Sequence, residues 1–236
     1  MNAFDAQIST LFYAFIGGLL PALLWLWFFL REDKAHPEPR HVILAAFLAG
    51  MAAVIAVLPA ERTAMVHASG TVLIVLWAAI EEIFKYAAAI FAAFWHKDLD
   101  EPIDAVIYLI TVALGFAAFE TFLFLMGPLS NGDIITGVLT GNLRFMGAAL
   151  LHTLSSASIG VAIALSFYRH PFIKFIFLCT GLITAITLHA AFNFFIMLDN
   201  GAKSSIAFFA VWLGIIMLFL MFEKVMRVAK PGLTVL

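Results

Sequence analysis

The sequence predicts an all-α protein, a polytopic integral-membrane bundle of about seven transmembrane helices. Three observations carry this. Hydrophobic residues make up 64% of the 236-residue chain and charged residues only 12%, whereas a soluble domain needs roughly a quarter of its residues charged. Mean hydropathy is +1.06, so most of the surface must face lipid. Finally, seven apolar stretches follow one another, each ended by charge, Pro or Gly. Bilayer hydrocarbon offers no water to an unpaired backbone group, so these stretches must be helices.

In order, they run approximately Ile8–Leu30, His41–Pro59, Gly70–Trp95, Ile103–Met126, Arg144–Tyr168, Phe172–Leu198 and Ser205–Phe222. The segment Gly127–Asn142 is Gly-rich with few large apolar residues and reads as a loop or short interfacial segment. Trp25, Trp27, Trp95 and Trp212 fall near stretch ends, where interfacial aromatics sit, and Trp77 does not. No stretch is left for a soluble domain, so residues 1–236 read as one integral-membrane domain with its motifs in about 70–198. Met1 to Thr10 holds no Lys or Arg and no cleavage site, so the first helix is expected to be retained.

Charge and cysteine content exclude several functions. A formal net charge of −2 and the lack of a basic stretch argue against nucleic acid. The lone Cys179 excludes an internal disulfide and a Cys-based metal site. Arg31, Lys34, Arg40, Lys97, Arg169, Lys174, Lys224, Arg227 and Lys230 collect on one side, and only Arg62, Arg144 and Lys203 on the other. The positive-inside rule then puts the N-terminus outside and the C-terminus in the cytoplasm.

Charges at bilayer depth are expensive and need a partner, water or a function. The third stretch carries Glu81, Glu82 and Lys85 near its middle. Glu81 and Lys85 are four residues apart and can pair; Glu82 is turned about 100° away. Glu120 lies in the fourth stretch, His152 with Ser155 and Ser156 in the fifth, and His189 with Asn193 in the sixth. At 1.5 Å rise per residue, Glu81 and Glu82 lie roughly 16–18 Å below the outer end of their helix. On the same rise Glu120 lies roughly 9 Å down, His152 roughly 12 Å, His189 roughly 14 Å and Asn193 roughly 8 Å. Four helices therefore offer one polar chamber in the outer half of the bilayer.

Imidazoles and carboxylates in a dry pocket suit two hydrolytic mechanisms. In one, Glu120, His152 and His189 hold Zn²⁺ and Glu81 or Glu82 is the general base. In the other no metal is used: a buried carboxylate works with a His to deprotonate water, and the second His with Asn193 stabilises the oxyanion. Neither HExxH nor GxSxG occurs, so the usual zincin and serine-hydrolase routes are closed.

Glu81-Glu82-x-x-Lys85, Pro102-Ile-Asp104 through Tyr108 to Gly115-Phe116-Ala-Ala-Phe-Glu120, His152, and His189-Ala-Ala-Phe-Asn193 together resemble the PrsW family of intramembrane proteases. The resemblance covers Gly70 to about Asn193. A more distant likeness is to the CAAX prenyl endopeptidase and bacteriocin-immunity group, from which Phe116-x-x-x-Glu120 departs by having Glu in place of His. PrsW-like sequences usually carry Asn after the Glu of the fourth stretch, and this chain has Thr121. The resemblance implies an endopeptidase in a bacterial-type inner (plasma) membrane. Its partners would be the lipid bilayer and a single-pass membrane-protein substrate, such as an anti-sigma factor, cut close to the extracytoplasmic face. The alternatives from other classes are a proton-coupled transporter or channel, which buried Glu, Lys and His relays also serve, and a non-catalytic membrane scaffold. Carriers usually show internal repeats and paired broken helices, and neither is evident here.

Overall fold

The computed structural model describes residues 3–31, 37–95, 99–197 and 202–228. Lys34, Lys97, Lys230 and the Leu198 end of the sixth stretch lie outside these residues, as does the side chain of Lys203. The elements are α1 (Ala3–Leu30), α2 (Arg40–His67), α3 (Gly70–Ala89) with a π-helical turn at Ile90–Phe94, and α4 (Pro102–Ser130). They continue with α5 (Ile134–Leu143), a π-helical turn at Arg144–Ala148, α6 (Ala149–Leu165), α7 (Pro171–Met197) and α8 (Ala202–Met226). No strand occurs among the described residues, and the molecule is a polytopic helical membrane bundle.

Among the described residues, six helices are long and apolar enough to cross a membrane, with α5 and α6 counted as one rod over Ile134–Leu165. The exception, α3, carries Glu81, Glu82 and Lys85 in its apolar run. Two boundaries differ from expectation. Helix α2 runs on past Pro59 to His67, because proline forfeits one N–H without unwinding a helix that neighbours support. Residues 134–143 are helical and continuous with α6. Asp133 starts this segment: its carboxylate accepts from the Thr136 N–H at 3.0 Å and the Thr136 hydroxyl at 2.6 Å, an N-cap that Gly content does not reveal.

Helix α4 is the axis of the bundle. Every residue from Pro102 to Ala118 is buried, the signature of a helix enclosed on all sides. Helices α1, α2 and α6 pack around it, α3 and α7 pack together beside α2 and α6, and α8 closes against α6. Lipid tails are as apolar as leucine, so close packing drives such association, and small residues permit it. Gly50 of α2 faces the Val112 carbonyl of α4, and Gly115 of α4 faces the Phe47 carbonyl of α2, each too near for a Cβ. This reciprocal contact sets the α2–α4 crossing that places Phe116 and Glu120. At its start α4 is fixed by Asp104, whose carboxylate accepts from the backbone N–H of Asp100 at 2.9 Å and of Glu101 at 2.7 Å. Outward-facing Leu11, Phe12, Leu24 and Trp27 on α1 and Ile206, Phe209, Ile216 and Leu220 on α8 are exposed, a belt suited to acyl chains.

Candidate functional site

Helices α3, α4, α6 and α7 bring Glu81, Glu82, Glu120, His152 and His189 into one cluster. Glu82, Lys85, His152 and His189 are each at most 2% exposed, and Glu81 is 7% exposed. Lys85 Nζ donates to Glu82 Oε1 at 2.6 Å and to His152 Nδ1 at 3.0 Å, and it stands 4.8 Å from the centre of the Phe116 ring. Phe116 also backs the His152 ring at 5.3 Å. Lysine therefore pairs with Glu82, three residues away, and not with Glu81 as helix spacing suggested. Both spacings share a helix face, and the surroundings decide: Glu82 is the carboxylate held by hydrogen bonds from His189 and Ser156 on other helices.

Glu82 is saturated. Its Oε1 also accepts from His189 Nδ1 at 2.8 Å, and its Oε2 accepts from the Ser156 hydroxyl at 3.0 Å. With His189 Nδ1–H given to Glu82, its Nε2 keeps a free lone pair, 3.8 Å from Glu81 Oε2. His152 is fixed in the same manner. Its Nε2 lies 2.8 Å from Glu120 Oε2, and Lys85 donates to its Nδ1, so the ring proton sits on Nε2. These tautomers follow from the donors and acceptors around each ring. His152 Nδ1 is 3.9 Å from Glu81 Oε2, and the two rings meet edge to face at 5.0 Å.

Glu81 Oε2 thus faces two imidazole nitrogens and makes no hydrogen bond of its own. A buried carboxylate oxygen without a donor costs roughly 1–3 kcal/mol or more, which a cation among the three groups would relieve. Glu81, His152 and His189 each offer a ligand atom, all within 4.8 Å of one another, and two His with one carboxylate is a donor set of hydrolytic zinc sites. Each His also gives its other nitrogen to a carboxylate, Glu120 or Glu82, the arrangement that orients metal-binding imidazoles. The residues fit a metal. His152 Nδ1 would have to exchange its Lys85 contact for the metal, while Lys85 would retain its bond to Glu82.

This grouping differs from the expected ligand set. Glu120 lies behind His152, bonded to its outer nitrogen and paired with the Arg144 guanidinium, while Glu81 stands where Glu120 was expected. Asn193 is half-buried one turn beyond His189 and makes no hydrogen bond among the described residues. The bonds of Ser156 to Glu82, of Arg144 to Glu120 and of Lys85 to His152 escaped the sequence reading. Ser156, grouped with His152 by its i+4 spacing, reaches Glu82 across the helix interface. An apolar groove of about 480 Å³ lies elsewhere, between α6, α7 and α8 and lined by Leu154, Leu165, Ile176 and Met217 among others. Its lining carries no Asp, Glu, His, Lys or Arg.

A family model described as PrsW family intramembrane metalloprotease matches residues 38–222 of the chain. Protease PrsW of Bacillus subtilis (strain 168) is 24% identical over 205 residues, 84% of this chain and 90% of that protein. Protease PrsW of Oceanobacillus iheyensis is 26% identical over 176 residues, 67% of this chain and 80% of that protein. Protease PrsW of Geobacillus kaustophilus is 33% identical over 121 residues, 49% of this chain, and the match spans about half of that protein, 52%. No solved structure matches.

Proposed function

The chain belongs to the PrsW family of intramembrane metalloproteases, and from that premise we propose that it cuts a single-pass membrane protein, of the anti-sigma-factor kind, near the extracytoplasmic face. The observation that carries the reading is the partnerless Glu81 Oε2 between His189 Nε2 and His152 Nδ1, the latter in contact with Lys85. Glu81, His152 and His189 would hold a zinc ion, which when bound supplies Lewis acidity and a water acidic enough to ionise near neutral pH.

The chain's own residues do the rest. Glu120 and Glu82 hold the two imidazoles in the tautomers that turn the lone pairs of His152 Nδ1 and His189 Nε2 toward Glu81. Glu82 has both oxygens engaged, so it orients and does not take a proton. Glu81 would give its partnerless Oε2 to the metal, the one anionic ligand beside the two imidazoles. Lys85 offsets the charge of Glu82 and lends positive potential where negative charge develops on the scissile carbonyl. Asn193, unbonded at the rim, is the side chain free to take up substrate backbone. The outside N-terminus, supported by the asymmetry of Lys and Arg, belongs to this proposal, as do the one-domain organisation and the inner-membrane location.

The test is cleavage in proteoliposomes holding the full chain and a panel of single-pass reporter proteins. Wild type should cut a reporter on its extracytoplasmic side, and Glu81→Gln, nearly isosteric, should lose the cut while staying folded. Undiminished cleavage by Glu81→Gln would overturn the proposal.

A further inference from the structure

Arg144 enters the sequence only as a cation at a helix mouth, yet its guanidinium is mostly buried and engaged at three points. It pairs with Glu120 Oε2, donates from Nε to Thr121 Oγ1 at 2.9 Å, and lies 4.2 Å over the Phe124 ring. Glu120 in turn bonds His152 Nε2 at 2.8 Å. We infer that Arg144 is a positioning residue for the site, clamping Glu120 so that it fixes the outer nitrogen of His152 and aims Nδ1 at Glu81. The inference rests on the proposed metal site and adds to it the residue that sets one ligand's orientation.

Two further features support the clamp. Arg144 opens the π-helical turn Arg144–Ala148, and such one-turn insertions commonly re-aim a side chain at a functional site. The turn is pinned from α1, where the Trp25 indole N–H donates to the Phe145 carbonyl at 3.1 Å and the two rings lie 5.4 Å apart. Thr121 completes the clamp. Its hydroxyl oxygen accepts the Nε–H while Glu120 accepts from Nη2, so two partners hold the planar fork against the carboxylate. Arginine suits this better than lysine because its donors are fixed in one plane.

The experiment uses the full chain in detergent with ¹⁵N-labelled histidine, assigned with His152→Gln. Wild type should show a His152 Nε2–H proton protected from solvent exchange. Arg144→Met should lose that signal, and its Zn²⁺ dissociation constant should rise about 10–100-fold, the usual effect of freeing a residue behind a metal-binding His. Arg144→Lys should recover part of both. In a Glu120→Gln background, Arg144→Met should weaken Zn²⁺ no further, because the two act as one unit. A merely structural arginine would shift the unfolding temperature and leave the Nε2–H signal intact, which would overturn the inference, as would Zn²⁺ losses that multiply in the double variant. Should Arg144→Met fail to fold, Thr121→Val and Arg144→Lys decide: an unchanged His152 signal and Zn²⁺ affinity in both overturns it. A wild-type chain that binds no Zn²⁺ counts against the metalloprotease mechanism, while the Nε2–H signal still decides the role of Arg144.

Discussion

Replacing Lys85 by methionine should strongly destabilise the fold, and the structure gives the size of the effect. Lys85 and Glu82 are both fully buried and 2.6 Å apart. Methionine fills the space of the lysine stem and removes the charge, leaving Glu82 ionised with only neutral donors, His189 and Ser156. Stripping one partner from a buried ion pair costs about 3–5 kcal/mol, against a total stability of about 5–15 kcal/mol for a typical domain. At about 1.4 kcal/mol per decade, the folded-to-unfolded ratio falls by two to three and a half orders of magnitude. The lost contact with Phe116 at 4.8 Å adds about 0.5–2 kcal/mol. The assay is equilibrium unfolding of purified variants in one detergent. Lys85→Met should show the full loss, and Lys85→Met with Glu82→Gln should recover most of it, since no uncompensated charge remains. A stable Lys85→Met chain, or a double variant no better than the single one, would refute the reasoning.

Gly115→Leu should abolish folding, because its Cβ falls on the Phe47 carbonyl of α2 and backbone cannot move aside as a side chain can. Its yield of folded protein, compared with Gly127→Leu, where a Cβ meets open space, checks this. Hydrogen bonds from Thr136 hold the Asp133 carboxyl below its usual range. The cap they form is therefore present above the ordinary aspartate pKa and lost as pH falls through the lower folded-state value; amide exchange at Thr136 should accelerate only in that acid window. A reporter active only in the cytoplasm should give signal when fused at Leu236 and stay silent when inserted after Ser130; the reverse pattern would invert the orientation.

The helices and the meeting of the polar residues were legible because both follow from one rule. Apolar runs must span lipid, and the few polar residues within them sit at depths that bare arithmetic assigns. What escaped the sequence was which neighbour each charge chooses. Lys85 can reach Glu81 or Glu82 from the same helix, and the choice of Glu82 is made by His189 and Ser156 on other helices. Glu120 looked like a ligand because its pairing with Arg144 depends on a π-helical turn that no periodicity announces. The helix at residues 134–143 hid for a related reason: its start is encoded in the Asp133–Thr136 cap, while its glycines and short apolar content read as loop.

The most direct measurement of the central claim is the zinc content per chain of detergent-purified protein, determined by elemental analysis for wild type, Glu81→Gln, His189→Gln and Glu120→Gln. The predicted result is about one zinc per wild-type chain, as a single site built from three protein ligands holds. Zinc should be lost in Glu81→Gln and His189→Gln, and retained but more weakly held in Glu120→Gln. A wild-type chain that cleaves its reporter with no metal bound, or a Glu81→Gln chain that keeps a full complement of zinc, would contradict it.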